Sequence, residues 1–164
     1  MLSTNTIVIN LVGGPGCGKS TAAAGLYSEL KKLGLQVVFI ERTDRENNYI
    51  KYFADDLNNI YKYVGGVDVI IHEGSLLDHI VYNTKENNQI FNTLVLQEYN
   101  KFRNLDFFVN RGELHSDYMN PDQEEDLDKR IVATYEYANI GLIHINASTA
   151  IENILNYVGN IGKE

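Results

Sequence analysis

Apolar residues follow two rhythms that alternate along this chain. Near-continuous apolar runs occur at residues 6–12 (TIVINLV), 35–40 (LQVVFI), 67–73 (VDVIIHE), 105–110 (LDFFVN) and 142–146 (LIHIN). Runs of this length, rich in Val, Ile and Phe, read as strands covered on both faces, as in a parallel sheet. Between them the spacing becomes helical. Ala22, Leu26, Leu30 and Leu33 mark one face of a helix over 21–33. Ile50, Phe53, Leu57, Ile60 and Val64 form a second stripe, flanked by Tyr49, Tyr52, Tyr61 and Tyr63, which read as packing residues. A short segment at 76–82 and a helix around 90–102, with Phe91, Val95, Tyr99 and Phe102 inward, precede the fourth strand. Leu127, Ile131, Tyr135 and Ala138, then Ile151, Ile154, Leu155 and Val158, give the buried faces of the last two helices.

The punctuation agrees with the rhythm. Gly34 follows Lys31 and Lys32 as a helix stop, and Gly65-Gly66 ends the second helix. Asn120-Pro121 opens a helix whose positive end carries Asp122, Glu124, Glu125 and Asp126. Thr149 and Glu152 have the spacing of a capping box. Residues 112–122 are polar and too long for a tight turn, which predicts a flap or lid segment. Five strands alternating with helices predict an α/β fold: a five-stranded parallel sheet with helices on both faces. With no repeat or linker in view, residues 1–164 read as one domain.

Composition narrows the partners. Net charge is −8 and no basic run occurs, which disfavours nonspecific nucleic-acid binding without excluding a local groove. No apolar run reaches the ~20 residues of a membrane span, and residues 1–12 lack the basic start of a signal peptide, so a cytoplasmic protein is expected. The one cysteine, Cys17, rules out an internal disulfide, and no Cys/His cluster has zinc spacing.

The candidate chemistry begins between the first strand and first helix. Gly13, Gly14, Pro15, Gly16, Cys17, Gly18, Lys19, Ser20 and Thr21 match G-x-x-x-x-G-K-[ST]. Glycines let backbone N–H groups approach a phosphate, and the helix N-terminus adds partial positive charge. Lys19 reaches the β- and γ-phosphates in such a loop, and the Ser20 hydroxyl takes a place on Mg²⁺. ATP and Mg²⁺ are the expected cofactors. Glu41 closes the second strand and Glu73 the third, both at the sheet edge where ligands bind in open parallel sheets. Glu73 faces the loop and is assigned to hold Mg²⁺ through water or to accept a proton from the substrate hydroxyl. No D-x-x-G and no N-K-x-D box follows, which argues against a GTPase switch, and the chain is short for a ring-forming ATPase with a helical lid domain.

The chain resembles the small P-loop kinases and ATPases of bacteriophages, relatives of the nucleoside and nucleotide (thymidylate-kinase-like) kinase superfamily. The resemblance runs through GGPGCGKSTAAAGLYSELKKLG, VVFIERTDR, VDVIIHEGSLL, FNTLVLQEYNKFRNLDFFVNR and QEEDLDKRI. It implies strand order 2-3-1-4-5 and an ATP-dependent phosphotransferase acting on a nucleoside, nucleotide or similar small acceptor. It also implies that Glu41 orients or deprotonates the acceptor hydroxyl. Two departures stand out: the third strand ends His72-Glu73-Gly74-Ser75, and no Gly-Arg pair precedes the post-lid helix. Arg111, just after the fourth strand, then remains as the catalytic cation beside the lid, with Lys19, Glu41 and Glu73 the other catalytic candidates. Arg42 and Arg45 are candidates to clamp an anionic acceptor, Asp78 to line the acceptor pocket, and Tyr118 to stack on a base; His72 and His79 read as structural. Alternatives are a polynucleotide or modified-base DNA kinase, with Arg42, Arg45 and Lys51 as a groove, or a regulatory module with slow ATPase activity. Oligomeric state stays open between monomer and homodimer.

Overall fold

The computed structural model describes residues 5–42, 49–83, 89–113, 115–117 and 119–161, with side chains as far as residue 159. The strands are β1 (Ile7–Val12), β2 (Val37–Ile40), β3 (Val69–Glu73), β4 (Arg103–Asn110) and β5 (Ile143–Asn146). They make one sheet in the order β2-β3-β1-β4-β5, every pair parallel. This is the architecture and strand order expected. The helices are α1 (Lys19–Lys32), α2 (Tyr49–Tyr63), α3 (Asp78–Tyr82), α4 (Gln89–Tyr99), α5 (Pro121–Tyr137) and α6 (Ala150–Ile161).

The two-residue period of the strands sorts side chains to two cores. Ile9 and Leu11 of β1, Ile71 of β3 and Phe107 and Val109 of β4 meet Ala22, Leu26 and Leu30 of α1 and Ile154 of α6. On the opposite face, Val8, Val12, Ile70 and Phe108 pack under α2 to α5, against Phe53, Ile60, Val95, Leu127 and Ile131. Most of these side chains are almost fully buried, and each such Leu, Ile, Val or Phe stabilises the fold by about 1.5–3 kcal/mol. The second core is not wholly apolar. Asn10 pairs in register with Asp106, and the Asp106 carboxylate accepts from Asn10 Nδ2 (3.0 Å), Tyr135 Oη (2.8 Å) and the hydroxyl of Tyr99.

Several expectations change in detail. Leu33 is 69% exposed because it caps α1, and the chain swings away at Gly34, whose φ is +82°. Ile50 is 55% exposed; its neighbour Tyr49 packs instead, edge-on to Phe91 with centroids 5.2 Å apart. Strand β3 starts at Val69 rather than Val67 because the preceding backbone is engaged elsewhere. Asp68 N–H and Val69 N–H donate to Gln36 O, and the Thr6 hydroxyl donates to Val67 O. Thr149 ends a 3-10 turn over Ala147–Thr149, and its hydroxyl accepts from the Asn153 amide at 3.0 Å. The opening of α5 follows the sequence closely. Asn120 accepts from Gln123 N–H at 3.0 Å, Gln123 Oε1 accepts from Asn120 N–H at 3.1 Å, and Pro121 occupies the first turn.

Candidate active site

All parallel strands end at one edge of the sheet, so β1 delivers residues 13–18 there and α1 begins above them. Gly18 is the N-cap of α1 in the left-handed region (φ +97°), with no side chain bonded to the first-turn amides. Those amides are left for an anion. Gly16 is also left-handed (φ +74°), and a Cβ there would sit 2.7 Å from the backbone of Ser116. Glycine is required by both conformation and space. Lys19 is buried and folds back over the loop, its Nζ donating to Gly14 O at 2.7 Å and lying 3.6 Å from Cys17 Sγ. Cys17 is fully buried beneath the loop as a packing residue. Thr21, one residue into the helix after Ser20, is exposed.

Glu73 closes β3 beside β1, opposite Leu11 in register. Its Oε1 accepts from Ser20 Oγ at 2.5 Å. A hydroxyl and a carboxylate in contact at the mouth of a phosphate loop are the hard oxygen donors that suit Mg²⁺, which keeps its other positions for water and phosphate. Among the described residues no group of three His, Cys, Asp or Glu has the arrangement of a self-sufficient metal site. A metal here would need the nucleotide to complete its shell.

Glu41 leaves β2 at the level where Glu73 leaves β3, because Ile40 is paired with His72. It is exposed at this edge. Arg42 is half-buried, its guanidinium 4.8 Å from the Tyr82 ring centroid. Desolvation opposes its charge, but the Asp78 carboxylate, Tyr82 and Glu73 more than compensate and push its pKa up. Arg45 and Tyr118 lie outside the described residues. Lys51 sits exposed in the first turn of α2. His72 and His79 are buried around Asp56, whose Oδ2 is 2.7 Å from His79 Nε2 and 4.0 Å from His72 Nε2.

Arg111, following β4, lies beside the loop. Its Nη1 donates to Pro15 O at 2.5 Å and lies 3.3 Å from Glu124 Oε1. Its Nε and Nη2 stand 3.4 and 3.3 Å from Asp128 Oδ2. The other Asp128 oxygen accepts from Gly14 N–H at 2.7 Å. Glu124 is buried and holds the flap, accepting from Ser116 N–H at 2.5 Å and pairing with His115 Nδ1 at 2.9 Å. The His115 bond, the Ser116 amide and the Arg111 charge keep its carboxyl below the ordinary range. Beside this cluster opens a cavity of about 510 Å³ between β4 and α5, walled by Phe108, Pro121, Val132 and Ala133.

Asp128 and Glu124 were not singled out as site residues from sequence. A signal existed: 124, 127, 128, 131 and 135 share one helix face with 3- and 4-residue spacing, so two carboxylates sit within a buried stripe. An acid on the apolar side of a helix needs a partner.

A glycine-rich turn between β1 and α1, a buried loop lysine, a Ser–Glu pair and the 2-3-1-4-5 parallel sheet define a P-loop nucleoside triphosphatase fold with a nucleotide site. Residues 9–109 match the AAA family, the ATPase family associated with various cellular activities, and the chain belongs to that family. The matched span runs from β1 to the end of β4. The fold is similar to that of the YorR protein from Bacillus subtilis, in a crystal structure described as a complex with phosphorylated GDP. The TM-score is 0.66 at 16% identity, over 96% of this chain and 98% of that one. No curated protein sequence matches this chain. Among the described residues no helix is long and apolar enough to cross a membrane.

Proposed function

We propose that this protein transfers the terminal phosphoryl group of ATP to a nucleoside, nucleotide or related small acceptor. The observation that carries the reading is the pairing of Ile40 with His72, which brings Glu41 and Glu73 out of adjacent strands at one level beside the phosphate loop. Phosphate chemistry uses one carboxylate near the metal and one group that positions the nucleophile, whether water or an acceptor hydroxyl. Two acidic strand ends side by side, with Arg42 and Asp78 next to them, suit a second substrate as well.

In this reading the loop amides and Lys19 bind the donor phosphates, and Ser20 and Glu73 hold Mg²⁺. The metal, when bound, neutralises charge that builds on the phosphate oxygens. Glu41 takes the proton of the acceptor hydroxyl as its oxygen attacks, and Arg111 offers a guanidinium to the transferred group. Phosphoryl transfer requires mainly this positioning and neutralisation.

A second reading, a nucleotide-binding module with slow ATP hydrolysis, draws support from Arg111, whose charge is already met by Asp128 and Glu124. One experiment separates the two: γ-labelled ATP incubated with a panel of nucleosides, nucleoside monophosphates and DNA. Guanine compounds belong in the panel because the YorR structure is described with phosphorylated GDP. Label appearing on a nucleoside or nucleotide supports the kinase. Label on DNA points to a polynucleotide kinase, and label appearing only as inorganic phosphate sinks the transfer reading.

A further inference from the structure

We propose that Asp128, with Glu124 behind it, is an internal competitor for the donor phosphates and sets how tightly the loop takes nucleotide. The inference rests on nucleotide binding at the loop but not on any acceptor. Asp128 holds two groups beside the loop that a phosphate could draw on, in addition to Lys19 and the α1 amides. One oxygen accepts from the loop amide of Gly14 at 2.7 Å, and the other faces Arg111 at 3.3 Å. Arg111 is held further at Nη1, which meets both Pro15 O and Glu124. The cation nearest the loop on this side is therefore neutralised by the protein itself before any ligand arrives.

Asp128 reaches the loop because it lies on the inward face of α5, one turn after Glu124 and one residue after the buried Leu127. The buried Glu124 cannot easily follow a moving Arg111, since it also bonds Ser116 N–H and His115. A triphosphate entering the loop brings its negative charge up to the Asp128 carboxylate. Either Arg111 turns from Asp128 to the phosphates and leaves that carboxylate unscreened beside them, or it stays on Asp128 and offers the phosphates little of its charge. Both routes lower affinity, and both do so in proportion to the charge on the ligand. The arrangement makes Asp128 a positioning residue for Arg111 and a brake on loading.

The test is equilibrium binding of Mg·ATP, Mg·GTP, ADP and adenosine to the wild type and to Asp128→Asn, at low and at physiological salt. The amide keeps an oxygen for Gly14 N–H and removes the charge. Affinity for the triphosphates is expected to rise about tenfold at low salt, the modest end of what relieving a like-charge contact gives. The gain should shrink for ADP and for added salt, and vanish for adenosine. Unchanged or weaker triphosphate binding by a folded Asp128→Asn protein overturns the proposal. Should that variant not fold, Asp128→Ser repeats the measurement. Failure of both to fold marks Asp128 as a structural tie and also overturns it. Tighter binding without transfer to any acceptor would leave this inference standing and remove the kinase. No nucleotide binding by either protein would remove both.

Discussion

The Ser20 hydroxyl and the Glu73 carboxylate meet at 2.5 Å, joining the first turn of α1 to the end of β3. The contact links the two halves of the nucleotide site, since one residue belongs to the phosphate loop and the other to the neighbouring strand. Glu73→Gln should retain the shape and a hydrogen bond but lose the anionic oxygen a metal needs. Mg²⁺-dependent turnover is expected to fall by about 10²-fold or more, consistent with a metal that supplies several kcal/mol. Glu41→Ala should behave differently in kind. Nucleotide affinity should hold while transfer slows by about 10²–10⁴-fold, as for loss of a general base. Titrating Mg²⁺ and ATP for both variants checks the division. Equal loss of ATP affinity in the two would show that the roles are wrongly assigned.

Lys19 tests the donor site itself. Its Nζ bonds Gly14 O and contacts Cys17 Sγ, with no acidic partner among its described hydrogen bonds, so the ammonium is held by neutral groups. A phosphate offers it a charged acceptor and a stronger bond. Lys19→Ala should fold and lose most of its Mg·ATP affinity or turnover. A folded variant that binds ATP and releases phosphate like the wild type would sink the nucleotide-site assignment.

The sequence leads us to expect Arg111 to supply alone the positive charge that lid arginines normally bring, and in the structure it lies beside the loop. It is anchored by Pro15 O on the loop and by two carboxylates of α5. These bonds use three guanidinium nitrogens in different directions, a pattern that one ammonium cannot reproduce. Arg111→Lys should therefore reduce kcat well beyond any change in nucleotide affinity. Steady-state kinetics beside direct binding measures the split. A variant with normal kcat would place the transition-state charge elsewhere.

What the sequence makes legible here depends on whether the determinant is local. Strand and helix types follow from apolar spacing, and the loop from nine consecutive residues, so both could be read along the chain. The Asn120–Gln123 capping box is equally local. Arg111 and Asp128 are 17 residues apart, and Asp128 and Gly14 are 114 apart. Such contacts arise only once β4 and α5 dock beside β1, and no spacing rule encodes them. Asp56 is a similar case: it is buried on α2, and its partner His79 lies 23 residues away on α3. Leu33 and Ile50 failed in the other direction, because helical periodicity does not say where a helix face leaves the sheet.

Asp106 carries a prediction about pH. It sits in β4 opposite Asn10, buried under α4 and α5. Burial pushes its pKa from an ordinary 3.8 up to about 6, against the opposing hydrogen bonds from Tyr99, Tyr135 and Asn10 that favour the anion. A carboxyl whose folded pKa lies above its unfolded value binds its proton more tightly in the fold. Its favourable contribution is complete below the unfolded pKa and is lost as pH rises through about 6. The gap corresponds to roughly 3 kcal/mol of stability at most, from 1.36 kcal/mol per pKa unit. Asp106→Asn removes the titration while its oxygen still accepts from Tyr135 and Asn10; the Tyr99 hydroxyl turns to accept from the new amide. Urea unfolding of both proteins at several values between about pH 4 and pH 7.5 measures the difference. The variant should gain on the wild type as pH rises through this window, by up to roughly 3 kcal/mol. A difference that stays flat, or that moves toward the wild type at higher pH, would mean that the three donors outweigh burial and that Asp106 is ionised in the fold well below pH 6.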